Sequence, residues 1–179
     1  MPRYALLLRG INVGGHGKLP MAELKVLLAD QGCTDIATYL QSGNAVVTSP
    51  LRSPATLAAQ VADALAATRD KPIAVLARTA AQIDRVVEAN PYAEQAASNP
   101  KMLHVAFLAG TPTAAAAQAI AHQDYAPDEC TLAGDTLYLH FAKSSYDSKM
   151  ASDAPKRAKV GATARNWNTV LAVQKMLRA

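Results

Sequence analysis

Cysteine is scarce in this sequence, and long apolar runs are absent. The only two cysteines, Cys33 and Cys130, lie outside any CxxC spacing, and the four histidines show no ligand spacing, so we predict no metal and no cofactor. No apolar run approaches the roughly 18 to 20 residues that span a bilayer, and the N-terminus lacks a signal-peptide pattern. These absences predict a cytoplasmic protein with free, buried thiols and no membrane partner; a disulfide or a reactive thiol is the less favoured alternative.

Aromatic residues are also few, at 5% of the chain. Sheets that bind single-stranded nucleic acid stack bases on aromatic side chains, so this composition counts against a dedicated RNA-binding sheet. Half of the residues are apolar, but many of these are alanines, which supply little side-chain volume. The core must therefore be built from Leu, Val and Ile.

The apolar periodicity of the first half predicts the order β-α-β-β-α-β. A Gly-rich loop precedes a helix from about Met21 that ends at Gly32, and Ser53 followed by Pro54 is typical of a helix start. The predicted strands are Arg3 to Arg9, Ile36 to Gln41, Ala45 to Thr48 and Ile73 to Arg78, and the second helix is Pro54 to Thr68.

The second half repeats the β-α-β-β order. Thr79 is predicted to cap a helix that stops near Asn90, and a polar link follows. The next predicted elements are strands Leu103 to Ala109, Thr131 to Ala133 and Thr136 to Phe141, with a helix from Pro112 to His122. A loop is predicted from Ala142 to Thr163, and a last helix from Trp167 to Leu177.

Two successive β-α-β-β-α patterns indicate an internal duplication of structure. The predicted fold is therefore α+β, with two ferredoxin-like β-α-β-β-α subdomains in one compact body. We expect one domain over residues 1–179, with halves at approximately 1–90 and 100–179.

The net charge of +4 is concentrated near the C-terminus. Six basic and two acidic side chains lie between Lys143 and Arg165, which gives +4, whereas the rest of the chain carries twelve of each sign. A local basic segment attracts an anionic ligand, although a solvated basic loop explains the same pattern.

The segment RGINVGGHGKLP, residues 9–20, has the order strand, Gly-rich loop, helix. Such a loop can direct backbone N–H groups at a phosphate. The established phosphate motifs fail, because a P-loop ending in Gly17 and Lys18 requires Gly at Asn12 and Ser or Thr at Leu19. Anion binding and a purely conformational role for the glycines both remain open.

Two further polar segments stand out, TYLQSGNAVV (residues 38–47) and TARNWNT (residues 163–169). At the first, hydrogen bonds to the turn backbone account for Gln41, Ser42 and Asn44, with ligand binding as the alternative. At the second, Asn166 is predicted to cap the last helix and Trp167 to pack, while Arg165 binds either a ligand anion or an internal carboxylate.

With these three motifs in this order and separation, the chain resembles the bacterial family known as domain of unknown function (DUF) 1697. The resemblance implies an α+β fold of two ferredoxin-like parts and supplies no catalytic residues. The positions that match the family motifs are Arg9, Gly10, Asn12, Gly14, Gly15, Ser42, Gly43, Asn44, Arg165, Asn166, Trp167 and Thr169.

The leading functional hypothesis is a binding protein for a small anion, a nucleotide or, with less support, a nucleic-acid backbone. It places the ligand where the Gly-rich loop meets the basic C-terminal segment. The candidate ligand-binding residues are Arg9, Asn12, Gly14, Gly15, Lys18, Ser42, Asn44, Arg165, Asn166, Trp167 and Thr169.

Two alternatives stay open. One is an enzyme with a cleft between the halves, in which Arg9, Asn44 and Arg165 bind substrate; the three motifs show no carboxylate pair and no activated nucleophile to support it. The other is a protein-interaction module, which a large exposed apolar patch would favour.

Overall fold

The structure, a computed structural model, describes residues 1–12 and 18–179. The chain divides into two compact units: the first comprises Met1–Arg85 with Ala172–Ala179, and the second comprises Val86–Leu171. Each unit contains one four-stranded antiparallel sheet with helices. The predicted α+β class is confirmed.

The first unit is a β-α-β-β-α-β fold in which every strand pair is antiparallel. Its sheet has the order β2-β3-β1-β4. Leu residues from the sheet and both helices, among them Leu6, Leu24, Leu28 and Leu57, are fully buried in one core. The strands are β1 (Arg3–Leu8), β2 (Thr34–Tyr39), β3 (Asn44–Thr48) and β4 (Val75–Thr79), and the helices are α1 (Met21–Asp30) and α2 (Pro54–Ala66), followed by α3 (Ala80–Glu88).

The second unit repeats that fold with the sheet order β6-β7-β5-β8. Its core includes Leu108, Ile120, Leu137 and Phe141. The strands are β5 (Leu103–Leu108), β6 (Glu129–Ala133), β7 (Thr136–His140) and β8 (Ala162–Asn166), and the helices are α4 (Ala93–Ser98), a 3-10 turn (Pro100–Met102), α5 (Ala114–Ala121) and α6 (Lys149–Arg157). The last helix, α7 (Trp167–Arg178), begins in this unit, and its residues from Ala172 onward belong to the first.

Equivalent backbone hydrogen bonds show how closely the two units correspond. The N–H of Leu8 donates to Gly43 O at 2.8 Å, and the N–H of Leu108 donates to Asp135 O at 2.9 Å. One residue further, the N–H groups of Arg9 and Ala109 donate to Ala74 O and Gly161 O at 2.9 and 2.7 Å. The predicted repetition of two ferredoxin-like parts is confirmed.

The helix ends follow the local sequence signals. Gly32, at φ +78°, ends α1, and Ser53 Oγ accepts from Thr56 N at 3.2 Å to cap α2. Thr79 and Gln82 form a reciprocal capping box at α3, and Asn166 Oδ1 accepts from Thr169 N at 2.9 Å to cap α7. These four predicted boundaries are confirmed.

The predicted loop from Ala142 to Thr163 is wrong, because it contains α6 and the start of β8. Pro155 lies inside α6 and few large apolar residues surround it, so the sequence shows the signals of a helix break. The helix is held by burial of Met150 and Ala154 and by Asp153, which accepts from Tyr125 Oη at 2.6 Å and from Arg157 Nε at 2.5 Å.

Across residues 1–12 and 18–179, no helix combines the length and the apolar character needed to cross a membrane.

Candidate anion-binding site

A surface cavity of about 620 Å³ lies in the first unit where β1 ends and β4 begins. Its size suits a small ligand. Four of the described side chains that line it are basic and one is acidic: Arg9, Lys18, Arg69 and Lys71 with Asp70. Four positive charges and one negative charge give the lining a formal charge of +3.

Strand pairing places Arg9 at the cavity. Since β1 and β4 are antiparallel, the end of β1 adjoins the chain that enters β4, and Arg9 N–H donates to Ala74 O at 2.9 Å. Gly10 follows at φ +68°, a conformation that a residue without a Cβ atom adopts without strain. The Arg9 side chain is exposed, so its guanidinium is accessible to a ligand.

Arg69, which also lines the cavity, contacts two neighbouring segments. Its Nη1 donates to Lys18 O at 2.7 Å, and its Nη2 is ion-paired with the Glu23 carboxylate in the first turn of α1. This pair offsets the charge of Arg69. Arg9, Lys18 and Lys71 therefore supply the exposed positive charge.

Asn12 holds the two ends of the Gly-rich segment together. At φ +53°, its Nδ2 donates to Leu19 O at 2.9 Å and its Oδ1 accepts from Leu19 N at 2.9 Å. The same Nδ2 donates to Gln41 O at 2.6 Å, which connects Asn12 to the β2–β3 hairpin. Asn12, predicted as a ligand contact, thus has its amide engaged by backbone groups; Gly14 and Gly15, also predicted, lie outside the described residues.

The hairpin residues Ser42 and Asn44 are positioned by the turn itself. Asn44 is fully buried, and its Nδ2 donates to Tyr39 O at 2.9 Å and to Ser42 Oγ at 3.1 Å. Gly43 packs against the end of β1, where a Cβ atom would lie 2.8 Å from Leu8 Cβ. These contacts are the turn-stabilising bonds that the sequence offered as the alternative to ligand binding.

The four remaining candidates lie in the second unit at the β8–α7 junction. Arg165 is buried and donates from Nη1 to Thr163 Oγ1 at 2.8 Å and to Ala164 O at 2.7 Å. Burial lowers the pKa of its guanidinium to about 10, which leaves it protonated at neutral pH. Asn166 caps α7, and Trp167 and Thr169 are buried.

Comparison with known proteins agrees with this architecture. A solved structure, the conserved bacterial protein SP0830 from Streptococcus pneumoniae, superposes with a TM-score of 0.76 over 98% of both chains at 22% sequence identity. At that identity the likeness concerns the fold. No curated protein matches the sequence significantly.

Residues 1–138 match the model of the family described as "Protein of unknown function (DUF1697)". The chain belongs to the DUF1697 family. The resemblance inferred from the three motifs is confirmed, and the matched range covers the first two motifs and the whole lining of the cavity. It ends before TARNWNT.

In this DUF1697 chain, sequence reasoning missed the segment from Arg69 to Ala74. The local signal was present as Arg-Asp-Lys-Pro, three charged residues before a strand. The sequence did not show that β4 pairs with β1. This pairing brings the segment beside Arg9, although Arg69 is 60 residues further along the chain.

Proposed function

We propose that the protein binds a phosphate-bearing small molecule in the basic cavity of the first unit. Arg9, Lys18 and Lys71 are exposed around the cavity, and Gly10 allows a ligand to approach the backbone. Charge-assisted hydrogen bonds from such groups to a phosphate contribute about 1.5 to 3 kcal/mol each.

The observation that carries this proposal is the difference between two equivalent connections. In the second unit, the chain passes from β5 to α5 through the five residues 109–113, none of which is basic. In the first unit, the corresponding passage from β1 to α1 takes the twelve residues 9–20 and includes Arg9 and Lys18. Because the same fold closes with five residues, the length and charge of the longer connection point to a role beyond folding.

The cavity also favours a small molecule over a nucleic-acid backbone. A single-stranded polymer needs an extended basic groove with aromatic stacking surfaces, whereas here the cations surround one cavity that has no aromatic residue in its described lining. The basic C-terminal segment is left out of the proposed site, because its Arg157 and Arg165 already donate to Asp153 and Thr163.

The enzymatic alternative stays a prediction. The described residues of the three motifs contain no carboxylate, imidazole or thiol to act as acid, base or nucleophile.

Calorimetric titration with inorganic pyrophosphate at fixed ionic strength tests the proposal. We expect Arg9→Ala and Lys18→Ala to weaken binding about tenfold each, which corresponds to loss of one charge-assisted bond. Arg52→Ala and Lys25→Ala are matched controls, since both residues are exposed in the same unit but outside the cavity lining. They should change affinity less than twofold.

Two results would contradict the proposal. One is absence of pyrophosphate binding by the wild type. The other is an equal loss of affinity in the cavity variants and the controls, which would mean that net charge alone attracts the anion.

A further inference from the structure

A carboxylate lies among the cations of the cavity. Asp70 lines the same space as Arg9, Lys18 and Lys71 and is exposed to it. Among the described residues, Asp70 forms no hydrogen bond or ion pair that would explain its position by the fold. The Asp70 carboxylate is therefore available to a ligand bound in the cavity.

For a bare phosphate, Asp70 is unfavourable. Like charges repel at short range, so a carboxylate beside a phosphate weakens its binding. A carboxylate is an acceptor only, with two oxygens that suit the hydroxyl or amino donors of a ligand. A site that holds both cations and a carboxylate therefore matches a ligand that carries an anionic group and hydrogen-bond donors on one body.

The rest of the lining agrees with a ligand larger than an inorganic ion. Pro72 and Ile73 provide apolar surface next to Asp70, and about 620 Å³ exceeds the space that a single phosphate fills. The part of the ligand that bears the phosphate, here called the carrier, can thus lie against Pro72 and Ile73.

Building on the proposed function, we propose that Asp70 makes the cavity selective for phosphate monoesters of hydroxylated carriers, the chemistry shared by sugar phosphates and nucleotides. The cations bind the phosphate, and the Asp70 carboxylate accepts hydrogen bonds from the carrier's hydroxyl groups. Losing an acceptor that the ligand's donors require lowers affinity more than losing an apolar contact does.

Two ligands of equal charge separate these contributions, ribose 5-phosphate and n-butyl phosphate, of which only the first has carrier hydroxyls. Calorimetry on the full chain should show ribose 5-phosphate binding about tenfold more tightly than n-butyl phosphate in the wild type, as one charge-assisted hydrogen bond predicts. In Asp70→Ala the ratio should fall to about one, and n-butyl phosphate itself should bind more tightly because the repulsion is gone.

The control variant is Asp30→Ala, which removes the same charge from an exposed position at the end of α1, outside the cavity lining. It should leave the ratio unchanged. An equal affinity of the wild type for both esters, or a ratio that persists in Asp70→Ala, would overturn the inference. If pyrophosphate still binds in that case, the proposed function stands without it; if no phosphate compound binds, the proposed function fails first.

Discussion

Gly43 shows how much a single side-chain position controls near the candidate site. It has a φ of +81°, and an added Cβ would lie 2.8 Å from Leu8 Cβ and 2.9 Å from Ile11 Cδ1. Both neighbours are buried, so neither can move without disturbing the core. The close approach lets the hairpin pack on the end of β1, next to the residues that lead into the cavity.

Gly43→Ala is therefore expected to destabilise the protein by about 2 to 4 kcal/mol, combining left-handed backbone strain with overpacking. Gly32→Ala is the matched control, because Gly32 also has a positive φ, +78°, but an added Cβ there meets no atom within 4 Å. It should cost about 1 kcal/mol from the backbone alone. Urea unfolding followed by circular dichroism measures both, and equal losses would show that the contacts at Gly43 do not matter.

Residues with similar chemistry have different surroundings in this chain, and that difference decides which ones can reach a ligand. Arg165 is buried with donors directed to Thr163 and Ala164, whereas Arg9 is exposed at a cavity. Both follow or end a strand in the sequence, so local pattern treats them alike. The tertiary structure around each residue, which a local pattern does not contain, makes Arg165 buried and Arg9 accessible.

At the scale of secondary-structure elements, most of the fold could be predicted. The caps at Ser53, Thr79 and Asn166 act over three residues, and apolar periodicity acts over one helix, so both can be found in a short window. Helix α6 was missed because Pro155 is a breaker by itself, and the burial of Met150 and Ala154 that stabilises the helix comes from elsewhere in the unit.

The candidate site could be predicted only in part for a related reason. Arg9 and Lys18 belong to a recognisable Gly-rich segment, but Arg69 to Lys71 join them through the β1–β4 pairing, a contact between distant parts of the chain. The charged run before β4 carries no motif of its own. A sequence pattern can identify such a segment only after the strand order is known.

The buried side chain of Tyr138 in β7 makes the free energy of unfolding depend on pH in the alkaline range. Its side chain is buried, and its Oη donates to Val86 O in α3 at 2.8 Å. Burial raises the pKa of Tyr138 from 10.0 to about 12. A raised pKa in the folded state means that the associated stability is complete below about pH 10 and is lost as the pH rises toward 12.

Tyr138→Phe should lower the free energy of unfolding by about 1 to 3 kcal/mol at neutral pH, because the Val86 carbonyl loses its buried donor. Between about pH 10 and 12 the difference in free energy of unfolding between wild type and variant should narrow. In this range Tyr138 ionises in the unfolded wild type but stays neutral in the folded protein, which favours unfolding, and the variant has no such group. Urea unfolding at a series of pH values measures this difference. Tyr146→Phe is the control, as Tyr146 is 98% exposed, and a constant gap for Tyr138→Phe would contradict the prediction.

On the scale of the whole molecule, two units of one topology differ most in length at the connection between their first strand and first helix. Strand order and key backbone bonds are shared, while the longer, basic connection occurs in the first unit. A duplicated fold of this kind can keep one copy of a surface for stability and use the other for binding.

This asymmetry predicts one phosphate site per chain. Calorimetry with pyrophosphate should give a stoichiometry of one, and amide chemical-shift changes in NMR spectra should concentrate at residues 9–10, 18 and 69–74. The equivalent residues 109–113 in the second unit should not respond, because they offer no cation. Two equivalents of bound pyrophosphate, or matching shifts at residues 109–113, would contradict the assignment.

The pair of hydrogen bonds between Asn12 and Leu19 has a use in protein engineering. They bring the entry and exit of the intervening stretch to one point, so a guest domain whose own termini are adjacent can be spliced in with little change to the host sheet. A circularly permuted fluorescent protein inserted there would sit beside Arg9 and Lys18. If the proposed phosphate binding holds, it should change the emission of the inserted protein, and the fusion would serve as a genetically encoded sensor.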